Sequence, residues 1–149
     1  MELEATDMRL LMRGITKLYE QYLERIRGKY GLSQIEITII GFLYNNPGKD
    51  TAAEIVELRM LPKGNVSQGV ELLVKKGFLR RNTDRTDRRK VHLSLEETAI
   101  PLCNEIEKVN QSFKEQLLQG LTQQEKETYE KINRQLMKNI EKGMNFDEK

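Results

Sequence analysis

The sequence predicts a mainly α-helical protein with one small β-hairpin, on three observations. Ser/Thr-x-x-Glu capping boxes at residues 33–36, 51–54 and 122–125 mark helix starts, because the hydroxyl and the carboxylate each satisfy an amide that a helix start leaves free. After Gly77 the apolar period changes from three-and-four to two. Charge is also unevenly placed: residues 59–92 hold ten basic side chains against three acidic ones, a net of +7, in a chain whose net charge is +2.

The first element is a long helix over residues 8–30, with Met8, Leu11, Met12, Ile15, Leu18, Tyr19, Tyr22 and Ile26 on one face and Gly31 ending it. The box at Ser33 and Glu36 opens a second helix. Its Ile37, Ile39, Ile40, Phe42, Leu43 and Tyr44 are too many for one stripe, so it should be central; Asn45-Asn46-Pro47-Gly48 stops it. The box at Thr51 and Glu54 opens a short helix through about Leu58. Pro62 suits the first turn of the next, which spans residues 63–76. The separation by Arg59-Met60-Leu61 matches a helix-turn-helix unit. On the second of these helices Val66, Val70, Leu73 and Val74 share one side. Gly64, Gln68, Glu71, Leu72 and Lys75 face the other way, available for contact.

Residues 78–81 and 90–95 read as two strands, the second alternating through Val91, Leu93 and Leu95, with a polar tip over residues 82–89. A hairpin with a charged tip beside two short helices is a wing, and the fold class is a winged helix-turn-helix. The rest is helical. Leu102, Ile106, Val109, Phe113 and Leu117 form one stripe; Tyr129, Ile132, Leu136, Ile140 and Met144 form another, starting at the Thr122 box. Thr98 is the expected N-cap of the first of these helices, which leaves Pro101 in its tolerant first turn. The organisation expected is an N-terminal dimerisation helix over residues 1–32, a DNA-binding domain over 33–97 and C-terminal dimerisation helices over 98–149. A second copy would bury the apolar stripes; a monomer whose helices fold back on its own core is the alternative.

Composition narrows the function. No apolar run approaches the roughly 20 residues that span a bilayer, and Met1-Glu2-Leu3-Glu4 lacks the basic start of a signal peptide, so a cytoplasmic location and no membrane partner are expected. One cysteine, Cys103, and one histidine, His92, make no transition-metal ligand set, and no phosphate loop or nucleophile elbow is present. No metal, cofactor or enzymatic activity is expected. Cys103 reads as a buried structural thiol, and His92, within a strand, as structural. The +7 segment is a footprint for a polyanion, with a solvated charged face as the plain alternative.

The run Leu61-Pro62-Lys63-Gly64-Asn65-Val66-Ser67-Gln68-Gly69-Val70-Glu71-Leu72-Leu73-Val74-Lys75-Lys76-Gly77-Phe78-Leu79, followed by Asp84-Arg85-Thr86-Asp87-Arg88-Arg89-Lys90-Val91-His92-Leu93-Ser94-Leu95, resembles the recognition helix and wing of the MarR (multiple antibiotic resistance regulator) family. With the three flanking long helices the resemblance covers nearly the whole chain. It implies a homodimeric transcriptional regulator that binds palindromic operator DNA, often with affinity lowered by a small-molecule effector or an oxidant. Peroxide-sensing relatives carry their reactive cysteine near the N-terminus, unlike Cys103. Gln68 stands where many relatives have a basic residue and Leu72 where a charge is common. The recognition helix is therefore less basic than usual, and the wing should carry a larger share of the electrostatic affinity.

Asn65, Ser67 and Gln68 are the expected base readers in the major groove, with local capping or phosphate contact as the alternative for the first two. Lys63 and Lys75 are further candidates on the same helix. At the wing, Arg89 is assigned to the minor groove and Asp87 to orienting it, the alternative being that the two merely close the hairpin; Arg85 and Arg88 are expected on phosphates. Gly69, costly inside a helix, reads as a close-packing position. A winged helix used only for protein–protein contact is the competing function, though such an interface has little reason to concentrate arginine this way.

Overall fold

The computed structural model describes residues 4–145 and consists of six α-helices and one antiparallel hairpin: α1 (Ala5–Tyr30), α2 (Gln34–Asn45), α3 (Ala52–Arg59), α4 (Lys63–Lys75), β1 (Leu79–Thr83), β2 (Val91–Leu95), α5 (Ile100–Leu117) and α6 (Gln123–Met144). Residues 1–3 and 146–149, the outer ends of the expected N- and C-terminal segments, lie outside the described residues. The chain up to Phe113 is one compact unit, and from Lys114 onward a second.

All three capping boxes form, at Ser33 with Glu36, Thr51 with Glu54 and Thr122 with Glu125. As its apolar load requires, α2 is central: Ile37, Ile39, Ile40, Phe42 and Leu43 are buried, and only Tyr44 of the expected set reaches solvent. Against it pack Ile55 of α3, Val66, Val70 and Leu73 of α4, Leu79 and Leu93 of the hairpin, Leu23 and Ile26 of α1, and Leu102 and Ile106 of α5. Each fully buried aliphatic or aromatic side chain contributes about 1.5–3 kcal/mol relative to exposure, so this cluster is what fixes the angle between α3 and α4.

Among the described residues one charged side chain, that of Glu36, enters that core. Glu36 is 2% exposed and accepts from Lys76 Nζ at 2.8 and 3.1 Å as well as from the Ser33 amide at 3.0 Å. Burial pushes its carboxyl pKa up, but the bonds from Lys76 and Ser33 outweigh that and hold it below its ordinary value. Lys76 Nζ also donates to the Gly31 carbonyl at 2.8 Å. One ammonium thus ties the end of α4 to the start of α2 and the end of α1.

Several local expectations are corrected. Helix α1 starts three residues earlier than its apolar stripe, at Ala5, and α4 ends at Lys75, with Lys76 as its C-cap. Gly77, at φ 83°, turns the chain in a Schellman arrangement: its amide bonds Val74 O at 3.1 Å, and the Phe78 amide bonds Leu73 O at 2.9 Å. That geometry consumes Phe78, so β1 begins at Leu79 and runs two residues further than expected, and β2 starts at Val91. The register pairs Leu79 with Leu95, Arg81 with Leu93 and Thr83 with Val91. Of the alternating residues only Leu93 is fully buried; Leu95 is half-buried and Val91 exposed, because the hairpin leaves the core as it extends towards its tip. Thr98 is not an N-cap. It lies in a 3-10 turn, Glu97–Ala99, and its hydroxyl donates to Gly77 O at 2.6 Å, while α5 begins at Ile100 with Pro101 in its first turn as expected.

Helix α5 lies along α1. Tyr19 donates to Asn110 at 2.6 Å and stacks edge-on to Phe113; Lys29 and the Tyr30 hydroxyl both donate to Glu105. Cys103 is buried on this helix, and burial, with the nearby Glu107 charge adding to it, pushes its thiol up to about 11. In the second unit α6 buries none of its residues within the chain, and Tyr129, Ile132, Leu136, Ile140 and Met144 all remain exposed along one stripe.

Candidate nucleic-acid interface

The site begins with a three-residue turn. Met60, in the left-handed conformation at φ 51°, reverses the chain after α3; the Leu61 amide returns to Val56 O at 3.2 Å, and Pro62 opens α4. Pro62 has no side-chain acceptor, and α4 starts without a side-chain cap, so its first-turn amides and the positive end of its dipole point outward uncovered.

With Val66, Gly69, Val70 and Leu73 facing the core, Lys63, Gly64, Asn65, Ser67, Gln68, Glu71 and Lys75 lie on the exposed side; Leu72 is only half-exposed. Lys75 sits 3.7 Å from Glu71 in an exposed pair one helical turn apart, which leaves it free to rearrange. Gly69 is the close-packing position its place in the sequence suggests: a Cβ there would lie 2.7 Å from Ile39 Cδ1 and 3.6 Å from Ile35 Cγ2. The absence of that carbon lets α4 seat directly on α2.

The wing tip is built from carboxylates. Asp84 Oδ1 accepts from Thr86 N at 2.8 Å, Thr86 Oγ1 at 2.9 Å and Asp87 N at 3.2 Å, folding residues 84–87 into an Asx-type turn. Backbone bonds from Asp84 N to Lys90 O and from Lys90 N to Asp87 O, each 3.0 Å, close it. Asp87 Oδ1 accepts from Arg89 N at 3.0 Å and lies 3.6 Å from Arg89 Nε. The Arg89 side chain is 96% exposed. Asp87 therefore closes the turn through the Arg89 amide and stands beside the Arg89 guanidinium, a geometry compatible with either role expected of it. Arg85 and Arg88 are exposed on the same tip.

Two of the ten basic residues are engaged by partners elsewhere in the fold. Lys76 is bound to Glu36, and the Arg59 guanidinium lies 4.9 Å from the ring centroid of Phe42. Three residues that charge counting did not single out organise the tip: Asp84 and Thr86, whose Asx-turn spacing is legible in sequence, and Asp50, which is not, since it comes from the α2–α3 loop. Asp50 Oδ1 is 2.7 Å from His92 Nδ1, and Asp84 Oδ2 is 2.7 Å from His92 Nε2.

A short helix pair with an uncovered second helix and an arginine-tipped hairpin defines a winged helix-turn-helix fold. Residues 30–90 match the MarR family model. Among solved structures, a MarR protein from Peptoclostridium difficile aligns with a TM-score of 0.84 at 16% identity, over 96% of this chain and 93% of its own. The Staphylococcus aureus MepR–DNA complex aligns at TM-score 0.77 and 18% identity, over 93% and 99%. Bordetella bronchiseptica BpsR, whose DNA binding is regulated by 6-hydroxynicotinic acid, aligns at TM-score 0.76 and 18% identity, over 91% and 94%. Over residues 30–90 the chain is thus similar to the MarR family, and along nearly its whole length it shares the fold of these structures.

Proposed function

We propose that the protein acts in the cytoplasm as a homodimeric, ligand-responsive repressor of palindromic operator DNA. The observation that carries this reading is the uncovered face of α4 beside a wing whose Arg89 projects almost fully into solvent next to Asp87. A 13-residue helix is about 20 Å long and fits a major groove about 12 Å wide. Asn65, Ser67 and Gln68 read base edges from its N-terminal half, with Lys63 and Lys75 beside them. Arg89 enters the adjacent minor groove, Asp87 orients it, and Arg85 and Arg88 hold phosphates. The open first-turn amides of α4 suit a phosphate as well.

Residues 1–32 and 98–149 form the dimerising parts and residues 33–97 the reading head. Support comes from the stripe on α6 and from Leu10, Leu11 and Met12 on α1, apolar residues that a folded chain in water does not leave in continuous rows. A two-fold dimer presents two equivalent helices and so requires an inverted repeat. Effector response is supported by a cavity of about 470 Å³ between α1 and α5, lined by Arg25, Lys108 and the Lys29–Glu105 ion pair together with Tyr22, Ile26 and Val109, so that cations outnumber the one carboxylate. Its lining suits a small anionic molecule with an apolar body.

Selection from a random duplex pool tests the reading. It should return inverted repeats whose half-sites lie about one helical turn apart. In sedimentation the protein should run at twice the chain mass, and Leu136→Glu at the chain mass. No enrichment, or an unpaired half-site bound by a monomer, would overturn it.

A further inference from the structure

His92 is flanked by two carboxylates from different parts of the fold. Nδ1 is 2.7 Å from Asp50 and Nε2 is 2.7 Å from Asp84. Carboxylates accept and cannot donate, so both contacts are hydrogen bonds only when the ring carries a proton on each nitrogen. A neutral ring can donate to one and must turn a lone pair on the other. The same residues join the wing to the helix-turn-helix: Asp50 O accepts from the Leu93 amide at 2.8 Å, and Asp84 organises the turn that ends in Asp87 and Arg89.

We propose that His92 is a positioning residue for DNA binding: as an imidazolium bridging Asp50 and Asp84 it holds the wing tip in register with α4, so that affinity for DNA falls as pH rises. This rests on the wing being a DNA contact, as proposed above.

The charged groups facing the ring are Asp50, from the loop before α3, and Asp84, from the β1–β2 turn. Its cross-strand neighbour on β1, Asn82, is neutral and donates to Ser94, while Glu54 of α3 is turned to its own cap at Thr51. The bonds to Asp50 and then Asp84 raise the imidazole above its ordinary value. In turn, His92 first and the Thr86 and Asp87 bonds after it hold Asp84 well below the usual carboxylate range. A raised basic group is fully charged below its ordinary value and loses its proton as pH rises through the folded one. The bridge, and the DNA affinity that depends on it, is therefore present near pH 6 and lost on the alkaline side. With one histidine in the chain and the Cys103 thiol displaced to about 11, His92 is the side chain expected to titrate in this window.

The test is fluorescence anisotropy with a labelled short A·T-rich duplex at constant ionic strength, from about pH 6 to about pH 8.5, on wild type, His92→Gln, Asp50→Asn and Arg89→Ala. Wild type should weaken by about threefold or more, the modest size reflecting the solvent exposure of the bridge. His92→Gln should be flat, and Asp50→Asn should move the midpoint to lower pH, matching the shift of the single imidazole resonance in NMR. A pH-independent wild type, or wild type and His92→Gln falling in parallel, overturns the role of His92. Should His92→Gln fail to fold, an unmoved midpoint in Asp50→Asn overturns it. Unchanged affinity in Arg89→Ala overturns instead the wing reading beneath it.

Discussion

Gly69 offers a direct test of how the recognition helix is seated. Replacing it with alanine favours α4 by about 1 kcal/mol through helix propensity. It also places a methyl 2.7 Å from Ile39 Cδ1, closer than carbons can approach, while the 3.6 and 4.0 Å contacts with Ile35 are ordinary. Ile39 is fully buried in a packed core, so relief requires a strained side chain or a shifted helix, at about 1–3 kcal/mol. The net expectation for Gly69→Ala is destabilisation by about 0–2 kcal/mol. Ile39→Val removes the atom in conflict and by itself costs about 0.5–1.5 kcal/mol. The two changes should therefore couple: the double variant should be at least as stable as Gly69→Ala, and its operator affinity should recover with it. Urea unfolding at fixed protein concentration measures all four corners of the cycle. Additivity within about 0.5 kcal/mol would refute the account of Gly69 as the contact point between α4 and α2.

The remaining predictions concern charge. A dimer neutralising about 6–10 phosphates should lose about 10³–10⁵ in operator affinity between about 50 and 200 mM salt, and a titration with no salt dependence would reject the electrostatic model. Arg89→Ala should weaken operator binding by about 1–3 kcal/mol per half-site with the sedimentation coefficient unchanged; full affinity by anisotropy would remove Arg89 from the interface. Lys76→Met strands the Glu36 carboxylate in the core, and stability should fall, though by less than the roughly 3–5 kcal/mol expected of a fully buried pair because Lys76 is partly exposed. Because the Glu36 pKa is lowered in the fold, its stabilising contribution is present above the unfolded carboxylate value and lost as pH falls through the folded one. Lys76→Met should thus flatten part of the acid limb of the unfolding curve.

The element order, the three capping boxes, the central position of α2 and the break into a hairpin after Gly77 were all legible in the residues, because helix starts, apolar period and left-handed glycines are set within a few positions of chain. Gly69 was legible as a packing position for the same reason, since a glycine inside a helix has a local cost that something must offset. The start of α5 was not. Thr98 has the composition of a cap, but its hydroxyl is taken by Gly77 O, a partner 21 residues away. Charge counting likewise placed a net of +7 near the hairpin without telling which cations face outward. Lys76 turns to a buried carboxylate 40 residues distant, and Arg59 lies over Phe42. The wing shows the division most clearly. The Asp84-x-Thr86-Asp87 spacing encodes the turn locally, whereas the bridge from His92 to Asp50 spans 42 residues and exists only once β2 is docked beside the start of α3. What the sequence determined by itself was the set of elements and the chemistry of the tip. The tertiary structure decided which charged groups are engaged within the fold and which are left at the surface, because hydrogen-bond partners far apart in the chain are chosen by packing and not by spacing.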